Sequence, residues 1–393
     1  MSDFFQNLPS EITPKILSRV PLRSLAISKC VCKPWRTLIE SHISQTKTPA
    51  VLALFMPASD KTRCSFFELE EEVESHDGHG NPLTKFHLPH SSSIIGISNG
   101  FLLLYSESGV LHICNPFTRD YVELCLPGKS LPDFTLSFGI GMSKLSGQYK
   151  VVCNSMHSDR HHVYVYTLGT GSWRRLEDTP LRFNVGRTSG ALVNGNLHWI
   201  VSSGSYDGKW ICCFDLETER FSTFPAPPLE GSTFARDLFT LRGCLCFCEK
   251  VSVNEIAIWL VKDYEVGKSW TKEFVVPQCP AYGVNGFYCV QPIHVFENGD
   301  ILMQCDGKHF YYYSNKTKTT QYIDLFGEPD GWFSVTSMAF TPSFRSLKSF
   351  GVENVMSLDE LGLESEVAMG WMWERASQYR DIEDAEEDLS WYI

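Results

Sequence analysis

The sequence predicts a small all-α unit, then an all-β propeller of about six blades, then an acidic, partly helical C-terminal tail. Three observations predict it: short amphipathic helix patterns confined to the first 45 residues, two turn landmarks recurring about every 50 residues, and a compositional break after residue 345. A chain of 393 residues exceeds one ordinary compact domain of about 100 to 200. With 43% hydrophobic and 20% charged residues it has material for a packed core. Units at 1–45, 46–345 and 346–393 follow.

In the first unit, Leu8-Pro9-Ser10-Glu11 reads as a helix start, Ser10 offering an oxygen to an orphan amide and Glu11 suiting the positive end of the helix dipole. Ile12, Ile16, Leu17 and Val20 then share one helical face. Pro14 is tolerable only if its missing amide falls among the unpaired donors of the first turn. Pro21 ends this helix, and Leu22, Leu25 and Ala26 belong to a second. Val31-Cys32-Lys33-Pro34-Trp35 opens a third, in which Trp35, Leu38 and Ile39 form one buried stripe. Three short helices cannot bury all these side chains alone, so a neighbour or partner is expected. Six basic residues (Lys15, Arg19, Arg23, Lys29, Lys33, Arg36) against Asp3, Glu11 and Glu40 suit an acidic partner.

The propeller is predicted by glycine turns that lead into apolar strands at Gly100, Gly147, Gly195, Gly243 and Gly299, spaced 47, 48, 48 and 56 residues apart. Tight hairpins need positive φ, which glycine supplies. A second landmark, a polar turn followed by an aromatic residue, falls at Tyr121, Trp173, Phe221, Trp270 and Tyr322, spaced 52, 48, 49 and 52 apart. Units near 50 residues holding about four strands are propeller blades, and the aromatics should wedge neighbouring blades together. Residues 50–98 supply a weaker sixth unit, and a late strand, Trp332 to Phe340, is expected to complete the first blade.

The net charge of −12 resides mostly in residues 351–393, which carry twelve acidic and two basic residues. The nearly neutral body argues against nucleic acid as a partner. No run approaches the roughly 18 apolar residues of a membrane span. The fourteen cysteines, without an apolar leader at the N-terminus, point to a reducing compartment, cytoplasmic and/or nuclear. In the tail, Trp371, Trp373 and Trp391 are candidate anchors beside the acidic run Asp381 to Asp388.

Cofactor and metal chemistry finds little footing. Cys244, Cys246 and Cys248 lie on one face of a strand, where burial is expected, and neither they nor Cys30, Cys32, Cys212 and Cys213 have zinc spacing. His76, His79, His87 and His90 form two His-x-x-His pairs in what reads as an exposed loop. There is no Gly-x-Ser-x-Gly, phosphate loop or His-Glu-x-x-His. Neither a catalytic residue nor a cofactor is expected.

The order Leu8-Pro9-x-Glu11-Ile12, Ile16-Leu17-Ser18-Arg19-Val20-Pro21-Leu22-x-Ser24-Leu25 and Cys30-Val31-Cys32-Lys33-x-Trp35-Arg36-x-Leu38-Ile39 resembles the F-box, particularly its plant form. Residues 50–345, including Leu102 to Pro127 and Ala191 to His198, resemble the kelch-like F-box-associated domain that follows it. The resemblance implies a substrate receptor of an SCF-type ubiquitin ligase that docks onto a Skp-type adaptor, through it onto a cullin scaffold, and holds an unidentified target protein on the propeller. By position, Leu8, Pro9, Ile12, Ile16, Leu17, Pro21, Leu25, Val31, Cys32 and Trp35 match docking or core positions of the F-box, two roles the sequence does not separate. Competing classes are a propeller hydrolase, which needs paired carboxylates at the channel mouth, and a scaffold that binds the adaptor outside any ligase. Candidate target loops are Ser155 to His162, Ser202 to Lys209 and Pro277 to Phe287.

Overall fold

A computed structural model describes residues 12–17, 19–29, 33–41, 51–57, 61–69, 82–89, 92–106, 109–127, 136–157, 160–177, 189–201, 210–228, 236–252, 255–264, 269–277, 290–305, 307, 309–323 and 335–358. Helices α1 (Ile12–Leu17), α2 (Leu22–Ser28) and α3 (Lys33–Ser41) precede six antiparallel sheets.

Blade one holds Val51–Pro57, Lys61–Glu68 and Thr84–Pro89, with the late strand Thr336–Phe340 as its innermost member. The later blades follow chain order from the axis outward. Blade two is Ser92–Ser98, Phe101–Ser106, Leu111–Asn115 and Asp120–Leu124. Blade three is Leu136–Met142, Tyr149–His157, Arg160–Thr167 and Trp173–Arg175. Blade four is Ala191–Val193, Asn196–Val201, Trp210–Asp215 and Phe221–Pro225. Blade five is Arg236–Leu241, Cys244–Ser252, Glu255–Val261 and Trp270–Pro277. Blade six is Val290–Val295, Ile301–Cys305, His309–Ser314 and Thr319–Ile323.

Six blades and closure through the late strand match the sequence expectation, with Val51 opposite Phe340 and Phe55 opposite Thr336. The weak unit at 50–98 proves to be blade one plus the first strand of blade two, Ser92–Ser98. Its weakness has a physical cause. Gly100, Gly147, Gly195, Gly243 and Gly299 all sit at φ between 66° and 90°, each turning the first strand of a blade into the second. In blade one those two strands are the last and first of the ring, so this glycine turn has no counterpart there.

Side chains alternate across each strand, so every blade can bury both faces. Val51, Ala53 and Phe55 pack with blade two, whereas Leu52 and Leu54 between them pack with blade six. Equivalent clusters fill the other seams, from Phe138 with Leu103 between blades two and three to Met303 with Ile258 between five and six. The landmark aromatics act here as expected. Tyr121 is buried between blades one and two, Phe221 packs against the cluster between three and four, and the indoles of Trp173 and Trp270 donate across seams to Cys125 O (2.6 Å) and Pro225 O (2.9 Å). Tyr322 departs from the pattern: it lies on an outermost strand, 46% exposed, meeting Tyr311 edge-on.

Blades three and four also share a charge cluster built around one buried lysine. The Lys150 ammonium, on a residue only 6% exposed, donates to Leu216 O (2.6 Å) and Glu219 Oε1 (3.0 Å), and Arg174 reaches the same carboxylate. Burial pushes the Glu219 carboxyl up, but the hydrogen bonds and charges of Arg174 and Lys150 outweigh it and hold the pKa below the ordinary range.

After Phe340 the chain runs along the same end of the ring. Asn115 Nδ2 donates to Ser343 O (2.9 Å) and Arg345 O (2.8 Å), and Leu347–Phe350 forms a 3-10 helix capped by Ser346. Gly100 is required here by space as well as by φ, because a Cβ would stand 2.1 Å from that of Ser343. Phe350 packs edge-on against Phe101 and Tyr149, and Met356–Ser357 adds a fifth strand to blade two. Residues 346–358, assigned to the tail from sequence, therefore line the propeller as a strap. Acid content averaged over residues 351–393 hid Val352 and Val355, which join the seam of blades two and three together with Leu347 and Phe350. Trp371, Trp373, Trp391 and the acidic run lie outside the described residues.

Candidate functional site

The three helices separate positions that the sequence left together. Thr13 and Leu17, one turn apart on α1, face inward at 9% and 1% exposure, while Ile12 and Ile16 stand out at 40% and 47%. The single face expected for Ile12, Ile16, Leu17 and Val20 is thus two stripes. Leu17 and the partly buried Val20 pack inward, and the isoleucine pair remains open. Pro14, third in α1, sits in its first described turn. Exposed Pro21 starts α2 by accepting from Leu25 N at 2.9 Å. Leu22 and Leu25 are buried, Ile39 is fully covered, and Trp35 and Leu38 pack half-buried against the same cluster. Leu8, Pro9, Val31 and Cys32 lie outside the described residues. Leu17, Leu25 and Trp35 are thereby brought together as core, Pro21 as a turn, and Ile12 with Ile16 as a surface.

The helices that carry this pair expose basic side chains. Lys15, Arg19, Lys33 and Arg36 are exposed, while Lys29 is drawn into an ion pair with Glu40 at 3.1 Å. An apolar pair one helical turn apart on a unit that exposes ammonium and guanidinium groups fits a partner groove that is apolar at its centre and acidic at its rim.

The helices are also joined to the ring, which the sequence did not reveal. Leu17, Leu22, Leu25 and Ile39 share one cluster with Phe66, Phe340 and Phe344 of blade one and the strap. Lys29 Nζ lies 3.4 Å from Phe344 O and 5.3 Å from the centre of its ring. These partners stand about 315 residues apart, and no local pattern signals such a contact.

Elsewhere, functional-looking side chains have structural roles. Cys246 and Cys248 are buried with their sulfurs 3.9 Å apart, and burial pushes the thiols of Cys64, Cys114, Cys153 and Cys212 up, which keeps them protonated and unreactive. His87 is half-buried on an outer strand of blade one and not in a loop, while His76, His79 and His90 lie outside the described residues. Among the described residues no group of three potential metal ligands converges. Asp300 accepts from Asn315 N and Tyr312 Oη, and Glu217 pins the Ser143–Ser146 turn, so both carboxylates serve turns.

The strands flanking the three candidate target loops all end on the side of the ring opposite the strap. In the first of them Ser155–His157 and Arg160–His162 are paired strand residues of blade three and not loop, while residues 158–159, 202–209 and 278–287 lie outside the described residues. On that side Trp210, the first residue of its strand, is 52% exposed.

Two family models match the chain: the F-box domain over residues 5–46 and the F-box associated beta propeller domain over residues 53–346. An Arabidopsis thaliana F-box protein is 29% identical, covering 86% of this chain and 92% of its own length. An F-box/kelch-repeat protein of the same plant is 25% identical over 78% and 90%, and the F-box protein CPR1 is 24% identical over 79% and 83%.

Proposed function

Because this chain belongs to the F-box proteins whose second domain is the F-box associated beta propeller, we propose that it is the substrate-recognition subunit of an SCF-type ubiquitin ligase. The observation that carries the reading is the open Ile12–Ile16 pair on a three-helix unit whose other described large apolar side chains are buried or half-buried: a docking stripe without a covering element among the described residues. In this reading residues 1–45 bind a Skp-type adaptor, which connects them to a cullin scaffold in the cytoplasm and/or nucleus. The propeller, residues 46–345, holds the target.

The ring breaks inside blade one, so the helices and the strap emerge at the same end. Targets are taken at the opposite end, where the loops between second and third strands and the links between blades meet and where Trp210 is open. No catalytic side chain is needed for this role. The receptor raises the local concentration of target lysines beside the enzymes that carry ubiquitin.

The test is proximity labelling with the full chain and with an Ile12→Asp, Ile16→Asp variant that cannot dock. Proteins that accumulate only around the variant are expected to be ubiquitylated by a ligase reconstituted with the parent chain. Captured proteins that remain unmodified in that reconstitution would overturn the ligase reading and leave a scaffold.

A further inference from the structure

The helices are held to the ring through a residue that is itself clamped. Phe344 is 3% exposed and meets Phe117 edge-on at 5.9 Å, Phe117 stacks on Phe340 at 5.9 Å, and Phe340 meets Phe66 at 5.2 Å. On one side of Phe344, Ser343 is tied by Asn115 and pressed against Gly100. On the other, Arg345 is held by Asn115 and lies 4.3 Å over the Phe350 ring. The phenyl ring is therefore fixed in the seam of blades one and two before any helix touches it.

Lys29 fastens the helices to this point. It follows α2, its amide still bonded to Leu25 O at 3.3 Å, and its ammonium makes three contacts on two elements: Phe344 O and the Phe344 ring in the strap, and Glu40 of α3. Arg36 Nε donates to Lys29 O at 3.4 Å, a second link between α3 and the end of α2. Helices of six, seven and nine residues are too short to hold their own geometry. Their mutual angles therefore depend on the shared core and on this cation.

We propose that Phe344 and Lys29 are positioning residues: they set the angle at which the helices present Ile12 and Ile16, and thereby fix where the far end of the ring stands relative to the ligase. The inference rests on the receptor reading for its consequence but not for the joint itself. A captured target is then offered to the ubiquitin-carrying enzyme from one direction, with no free swivel, and the C-terminal strap controls an N-terminal docking surface.

The test uses the full chain with Phe344→Ala and, separately, Lys29→Met, which removes the cation without opening a cavity in the aromatic cluster. Hydrogen exchange of amides in Leu22–Ser28 and Lys33–Ser41 should accelerate at least roughly tenfold in Phe344→Ala and less in Lys29→Met, while Val163–Thr167 of blade three keeps its protection. In the reconstituted ligase, self-ubiquitylation mapped by mass spectrometry should spread from a few lysines to many. A loss of helix order that did not alter presentation would leave that map unchanged. If Phe344→Ala does not fold, Lys29→Met carries both measurements. Unchanged helix exchange, or an unchanged lysine map despite faster exchange, overturns the proposal. Failure of the parent chain to bind the adaptor overturns the receptor reading instead, and the exchange measurement on the free chain still decides the joint.

Discussion

In the ring, Trp199, Phe214 and Phe247 are covered almost completely because each blade lies between two others. In α1, Ile12 and Ile16 remain open although Leu17, the next residue, is buried. The difference is one of closure. A ring of six similar units supplies each apolar face with a partner from its own chain, whereas three short helices have one inner side against the propeller and one outer side that no described residue covers. Where a protein completes its own packing, an exposed aliphatic pair gains meaning as a surface awaiting another molecule.

That contrast can be broken most sharply at the helices. Ile12→Asp with Ile16→Asp should weaken adaptor binding by roughly a hundredfold or more while leaving the thermal unfolding of the ring unchanged, as titration calorimetry and circular dichroism would show. Leu17→Asp is a poorer probe, since a carboxylate at a position 1% exposed disrupts the core as well as docking.

The complementary change is Trp199→Ala, which opens a cavity between blades three and four and should lower stability by about 3 to 5 kcal/mol in urea unfolding, with adaptor affinity retained. Equal losses of binding in the two variants would erase the division between surface and seam.

A smaller effect concerns pH. Glu219 has its pKa lowered in the folded chain, so its contribution is present above the unfolded carboxylate value and is lost as pH falls through the folded one. Glu219→Gln should therefore cost stability near neutral pH, and the gap between parent and variant should close on acidification. A gap in urea midpoint that stays constant down to about pH 3 would show that the carboxylate's charge does not join blades three and four.

Much of this architecture was legible in the sequence because turns obey local rules. Positive φ at Gly100, Gly147, Gly195, Gly243 and Gly299 demands a particular residue type, so five blades announced themselves. Blade one was faint because the ring opens there, at the position of its first turn. The strap stayed hidden because Met356–Ser357 is too short for a strand pattern and its partner, Asp120–Tyr121, lies more than 230 residues earlier. In the helices the motif order marked positions without dividing surface from core. Helical periodicity places Ile16 and Leu17 on neighbouring arcs, and only the shared core of the helices, blade one and the strap decides which of them is covered.

The opening in blade one has a mechanical consequence. Val51 and Phe340 are the outer pair of an antiparallel register that runs inward to Phe55 and Thr336, and the chain leaves the ring on both sides at that outer pair. Force applied between the two ends of the molecule, once the strap is drawn away, loads the bridging hydrogen bonds one after another like a zip, not all at once in shear. The ring is thus peelable from its ends, and the peel begins where the helices are attached.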